Sequence, residues 1–447
     1  NKQVIIMNMT KRKGEISLFM KYVFKKYTIL CMIFLYPFFN LYSIYLSNLT
    51  SLSSTYLLIF FFLPIIIFSF NKRTIYFIIK NIPYYFLVII ILLIGLLWST
   101  ELTRGIFYII SLFLAALFSC LLYNLGLLKS AWRAFAFSVT IFSILLYFKI
   151  LQRNFVYYEL DRFGYIQGNE IFLDPNWLAN WLAISFLYYF FSLMKEKKMY
   201  TNSISKVKKI LYFLLSILNL YFILLTASRS VFLALSVAIY IYLLLSKKIK
   251  QFSLINLLLA FVILILINVN VNVFDNLKIF DRLEETSILK SDRMDLAISS
   301  FKALVQDPFT FLMGYGTGGG DKAIGPYYYG AIRHEDGVLR YNNHNVYLDL
   351  LLQIGSLGIL IIFSLVFFIL KNIFISIKKE NYAFITLLIF TLITSSAYNP
   401  IKNGIWVITG GFLIVLYLFN YSSDEENTKL SKSSISITKL PTTFGRI

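Results

Sequence analysis

Apolar runs close to 20 residues long recur along this chain from residue 28 to residue 420, and almost no charge interrupts them. An α-helix of about that length crosses the ~30 Å hydrocarbon core of a bilayer. Of the 447 residues 58% are apolar and only 14% charged, against about 25% charged in soluble domains, which excludes a set of soluble domains. The chain reads as an all-α polytopic membrane protein. Its two cysteines, Cys31 and Cys120, lie inside apolar runs, so no disulfide framework and no cysteine metal site is available.

Twelve candidate spans cover 28–46, 55–70, 82–98, 105–124, 131–150, 176–194, 208–227, 229–246, 252–271, 344–370, 381–398 and 404–420. Residues 1–27 are basic and polar, too long and gradual for the charged region of a cleaved signal. The first span lacks a small-residue cleavage site and is expected to remain as a helix. Residues 28–271 then hold spans one to nine, 272–343 a large, partly helical loop, 344–420 spans ten to twelve, and 421–447 a tail. An even count puts both termini on one side.

Charge assigns the sides. Alternate loops, with the two terminal segments, carry 28 of the 42 Lys and Arg but 6 of the 22 acids, a balance of +22 against −2 on the other face. Basic residues stay cytoplasmic during insertion, so the termini and runs such as Lys195-Glu196-Lys197-Lys198 are expected in the cytoplasm. The net charge of +20 is therefore mostly a topology signal, and a nucleic-acid partner is not expected. Membrane lipid is the partner of this surface.

The external face holds two longer loops, 151–175 and 272–343. In the second, Met294, Leu296, Ala297, Phe301 and Leu304 recur at helical spacing, which suggests packing onto the membrane domain. Long loops with structure of their own are usually functional, so chemistry is expected to face outward. No GxxxxGK[ST] motif or DxD motif is present, and the run from Gly314 to Gly320 resembles a dinucleotide fingerprint only superficially, without a strand–turn–helix unit around it.

Four constellations could carry chemistry. From 208 to 246 the chain stays apolar for 39 residues, which as a single helix would be roughly 58 Å long. Two spans must therefore meet in a tight external turn within Thr226-Ala227-Ser228-Arg229-Ser230. There Arg229 is either a snorkelling residue that steadies the turn or a rigid fork for phosphate at the membrane boundary. Asn343-His344-Asn345-Val346-Tyr347-Leu348-Asp349 opens the tenth span, where His344 is either a satisfied helix-start residue or a base for a substrate hydroxyl. His334 reads as a solvated loop residue. The loop cations Lys278, Arg282, Lys290, Arg293, Lys302, Arg333 and Arg340 are interleaved with acids and read mostly as surface or ion-pair residues. Asp174-Pro175-Asn176 reads as a helix cap followed by a first-turn proline.

Taken in order, these pieces resemble the O-antigen ligase and polymerase superfamily (Wzy/WaaL type), GT-C-like integral membrane glycosyltransferases. The resemblance rests on Leu225-Thr226-Ala227-Ser228-Arg229-Ser230-Val231-Phe232-Leu233, on Gly314-Tyr315-Gly316 in the long external loop, and on His344-Asn345-Val346-Tyr347-Leu348 through Gly355 and Gly358. It covers roughly 170–370; elsewhere only the twelve-span layout agrees.

The resemblance implies transfer of glycan from a polyprenyl diphosphate on the outer face of the bacterial inner membrane. In that scheme Arg229 binds the donor diphosphate, with Arg293 as a second clamp residue, and His344 orients or deprotonates the acceptor hydroxyl. Gly314, Gly316, Asn345 and Tyr347 are further candidate contributors. A diphosphate leaves readily, so the scheme calls for no cofactor and no catalytic metal, and a single displacement inverts the anomeric centre. Donor and acceptor are both lipid-linked oligosaccharides if the enzyme is a polymerase, with a chain-length regulator and a flippase as candidate partners. Tyr327, Tyr328, Tyr329 and Tyr341 could stack on sugars or belong to the interfacial aromatic belt.

A polymerase is the leading reading. The alternative is a ligase that moves finished glycan to another acceptor. A lipid-linked sugar flippase is the competing class; it would call for ionisable residues near mid-span or repeated broken helices, and the sequence offers neither.

Overall fold

The computed structural model describes residues 20–40, 61–69, 72–148, 150, 165–167, 170–173, 175–194, 205–246, 292–328, 332–333, 339–340, 345–396 and 405–421. Nine helices are described in the first half: α1 (Met20–Asn40), α2 (Leu63–Ser69), α3 (Lys72–Asn81), α4 (Pro83–Gly95), α5 (Leu102–Asn124), α6 (Leu128–Tyr147), α7 (Pro175–Met194), α8 (Lys206–Leu225) and α9 (Arg229–Leu245). A 3-10 turn, Leu96–Trp98, extends α4. Then come α10 (Asp292–Leu304), α11 (Pro308–Met313), α12 (Gly320–Ile324), α13 (Val346–Ile354), α14 (Ser356–Lys378), α15 (Tyr382–Ser395) and α16 (Ile405–Tyr421). A second 3-10 turn, Gly325–Tyr327, follows α12, and two small antiparallel hairpins complete the described elements: β1 (Tyr165–Gln167) with β2 (Glu170–Leu173), and β3 (Ile332–Arg333) with β4 (Leu339–Arg340).

The fold is helical, as the apolar runs predict. Among the described residues five helices, α1, α5, α6, α7 and α8, are long and apolar enough to cross a membrane; α3 and α4, bent by 103° at Ile82, would make a sixth. The shorter apolar helices include α9, α15 and most of α16. Twelve spans are not reached among these residues, and the expected span 252–271 lies outside them.

Three expected boundaries change. The first helix already includes Met20 to Tyr27, inside the segment expected to precede it. Residues 72–81, expected as a loop, form α3, because Thr74 and Ile78, four residues apart on one face, are buried. The tenth span, expected unbroken over 344–370, divides at Gly355 into α13 and α14. Gly355 has φ +58°, and a Cβ there would come within 2.5 Å of Leu312 O. The break leaves carbonyls of the last α13 turn open, and Tyr315 N takes up Leu352 O at 2.7 Å.

The bundle closes around aromatic side chains. Trp132 on α6 stacks on Phe412 of α16 with centroids 5.3 Å apart, and its indole N–H donates to Ile184 O of α7 at 2.9 Å. The extended packings are α5 on α16, α7 on α8, and α9 on α15. They bring the 226–230 turn and the start of α13 to one end of the bundle, which the charge reading makes the external one.

Candidate functional site

The Arg229 turn forms as the run length predicts. Helix α8 stops at Leu225, Ala227 takes a left-handed φ of +50°, and Ser228 becomes the N-cap of α9. Local bonds close the reversal. Thr226 Oγ1 donates to Ile223 O at 2.6 Å and accepts from Ser228 N at 3.3 Å. A bond across the bundle anchors it, from Ser228 Oγ to Asn176 Oδ1 of α7 at 2.8 Å. Thr226, Ala227 and Ser228 are all buried, so the first residue of α9, half-buried Arg229, starts from a rigid base.

Helix α15 relates Arg229 to the second motif. The rings of Tyr242 and Tyr382 meet at 6.2 Å, and α9 packs antiparallel along α15 from that point. Arg229 lies 13 residues before Tyr242, and Ser395 lies 13 residues after Tyr382. Each separation is about 20 Å of helix, so Arg229 sits level with the end of α15. One turn below that end, Leu392 O accepts the Tyr347 hydroxyl at 3.0 Å. The two motifs therefore flank the same helix terminus.

Asn345 is the N-cap of α13. Its Oδ1 accepts from Tyr347 N at 2.9 Å and Leu348 N at 3.1 Å, satisfying two of the open donors of the first turn. His344, immediately before it, lies outside the described residues, as do His334, Lys278, Arg282, Lys290, Asp174, Tyr329 and Tyr341. Arg293 falls in the first turn of α10.

The run from Gly314 to Gly320 packs tightly against the end of α4 and the start of α5. Gly314, Gly316 and Gly318 have φ of +69°, +79° and +93°. A Cβ at Gly316 would meet Ser99 Cα at 2.3 Å, an approach only a bare backbone allows. Thr317 is wholly buried: its hydroxyl donates to Leu92 O at 2.6 Å, its N–H to Gly95 O at 3.0 Å, and its carbonyl accepts Ser99 Oγ at 2.7 Å. Arg104 pairs with Asp321 at 2.9 Å beside it. Tyr315 packs towards α10, its hydroxyl 3.1 Å from Ala303 O and 2.9 Å from Gln306 Oε1. Burial, with Tyr327 and Asp307 nearby, pushes that phenol up to about 12.

Two residues to which the sequence reading gave no role complete the link. Gln353 Oε1 accepts Gly318 N at 3.0 Å, while Gln353 Nε2 donates to Asp349 Oδ2 at 2.7 Å. Both side chains are wholly buried, and a Cβ at Gly320 would press within 2.3 Å of Asp349 Oδ1. The available signal was two polar residues at i and i+4 on an otherwise apolar helix.

Under the first turn of α13 lies an apolar cavity of about 390 Å³, whose walls include Tyr85, Leu112, Val346, Tyr347, Leu392 and Trp406. Three of its polar side chains bond into the wall. Trp406 Nε1 donates to Tyr85 OH at 2.9 Å, Tyr85 OH to Leu112 O at 2.8 Å, and Tyr347 OH to Leu392 O. A lining so largely apolar favours hydrocarbon over water.

Residues 213–363 match the family model described as O-antigen ligase, a segment that runs from mid-α8 through the Arg229 turn to the start of α14. This match, over about a third of the chain, supports the resemblance to the O-antigen ligase and polymerase superfamily. No curated protein matches the chain. Apolar spans and family together suggest a bacterial membrane protein acting on lipid-linked glycan.

Proposed function

We propose that this protein is a glycosyltransferase that draws glycan from a polyprenyl diphosphate, and that it acts as a polymerase of lipid-linked oligosaccharide repeats on the outer face of the cytoplasmic membrane. The observation that carries the reading is the apolar cavity beneath the start of α13, which reaches Ser395 at the end of α15. It offers a hydrocarbon chain a place at the same end of α15 that Arg229 lies level with.

In the proposed reaction the acceptor hydroxyl oxygen attacks the anomeric carbon and its proton passes to His344. The bond from that carbon to the diphosphate oxygen breaks, and its electron pair stays with the diphosphate. Arg229 stabilises the charge that grows there, with Arg293 as a second cation. Backside attack in one step inverts the centre. Gly314, Gly316 and Asn345 contribute by holding the backbone around the site, and Tyr347 by lining the cavity. A ligase reading is favoured by the family's description, since the same donor chemistry serves a different acceptor.

Purified protein in liposomes with one lipid-linked repeat unit and no other acceptor tests the proposal, with products resolved by size. A ladder is expected. A folded protein that yields none, but consumes donor when a second acceptor is added, is a ligase. His344→Gln is expected to abolish transfer and keep donor binding; full activity in that variant removes the base role.

A further inference from the structure

Helix α10 has two apolar faces, and the bundle uses one of them. Leu296, Ser299, Ser300, Ala303 and Leu304 turn inward, where Leu296, Ala303 and Leu304 pack with Ala323, Ile324 and Leu352. Met294, Ile298, Phe301 and Val305 follow one another at steps of four, three and four residues and are all exposed, Phe301 by 63%. At about 100° per residue they form a single stripe, nearly opposite the buried face. Phe309 and Leu312 on α11 continue the exposed apolar set, at 62% and 55%. Asp295 and Lys302, seven residues apart and exposed, border the stripe along one edge.

The position of this stripe identifies what covers it. Met313 O, at the end of α11, accepts the Trp98 indole N–H at 2.9 Å, and Leu312 O accepts Ser356 Oγ at 3.2 Å. Those bonds tie α11 to the outer ends of α4 and α14. The same ends expose Leu93, Ile94 and Leu97 on α4, the last by 85%, and Leu357 and Ile359 on α14. The exposed side chains of α11, and through it the α10 stripe, thus lie beside the exposed apolar flanks of α4 and α14, at the level of an indole suited to the interface. Six large apolar side chains in one patch do not suit a water-facing loop.

We infer that α10 and α11 form a monotopic membrane contact: the stripe sinks into the leaflet at this end of the bundle, with Asp295 and Lys302 at the headgroup edge. The loop that packs Gly314–Gly320 onto α4 and α5 is thereby also seated in lipid. The inference stands on the packing and exposure of these helices and is independent of which glycan transfer the protein performs.

Depth-resolved quenching of the full-length protein in liposomes tests it. In a Cys31→Ser, Cys120→Ser background, single cysteines at Ile298, Phe301, Val305, Phe309, Asp295 and Lys302 carry a bimane label, with Leu97→Cys as the lipid-facing reference. The quenchers are a shallow nitroxide phosphatidylcholine and aqueous iodide. Labels at 298, 301, 305 and 309 are expected to match Leu97→Cys, with nitroxide quenching roughly threefold or more above that at 295 and 302, which respond to iodide instead. Iodide quenching along the whole stripe overturns the inference, as does protection from both quenchers, which would mean a second copy or another segment of the chain covers the face. Because the readout is a period over several positions, a single variant that fails to fold leaves it intact.

Discussion

Two chain reversals at the same end of the bundle are built in opposite ways. The 226–228 turn is closed mainly by neighbours: Ala227 N bonds Leu224 O and Thr226 bonds Ile223 O, one turn back. The 314–320 stretch is closed by distant partners, with Thr317 bonded to Leu92 across 225 residues and Gly318 to Gln353 across 35. A turn closed locally can form as its helices form. One closed by distant partners exists only when α4, α5 and α13 are already in place, so its residues are intolerant of change.

The sharpest test of that difference is Gly316→Ala, where the new Cβ meets backbone of Ser99 and φ is +79°. A loss of about 3–5 kcal/mol is expected, read as a large drop in melting temperature in detergent. A melting temperature near that of the parent would mean the stretch is not held as described. Arg229→Lys comes next and separates function from fold. It keeps the charge but loses the planar fork, so activity should fall at least about tenfold while melting is unchanged. Near-normal product from this variant would return Arg229 to a structural role.

Thr317→Val keeps the shape but removes the hydroxyl bond to Leu92 O and is expected to cost about 1–3 kcal/mol by the same melting assay. Ala227→Gly reverses the sign: relief of the left-handed φ should stabilise by about 0.5–1 kcal/mol, and destabilisation would argue against the +50° conformation. Smallest is Arg104→Ala. Arg104 is 42% exposed in its pair with Asp321, so a loss of about 0–1 kcal/mol that fades with added salt is expected.

The helical class and the position of the Arg229 turn were legible because both follow from run length against bilayer thickness. The break of the tenth span was not. Gly355 stands in an apolar run that reads as continuous, and only the approach of Leu312 and Tyr315 gives the break its partners. The candidate site divides the same way. Arg229 stands out as a cation between apolar runs, whereas Gln353 and Asp349 gain meaning only when Gly318 and Gly320 are seen against them. The Met294–Leu304 pattern predicted a helix packed on the membrane domain; the structure divides its residues, with Leu296 and Leu304 buried and Met294 and Phe301 exposed.

By itself the sequence determined that the chain is helical and membrane-bound, and that it must reverse between α8 and α9, since transfer free energy and helix rise act residue by residue. The tertiary structure alone decided which carbonyls the glycine-rich stretch would bind, where the tenth span would divide, and that an apolar cavity would open beneath α13. Those depend on groups far apart in the chain meeting at bonding distance, which no local pattern encodes.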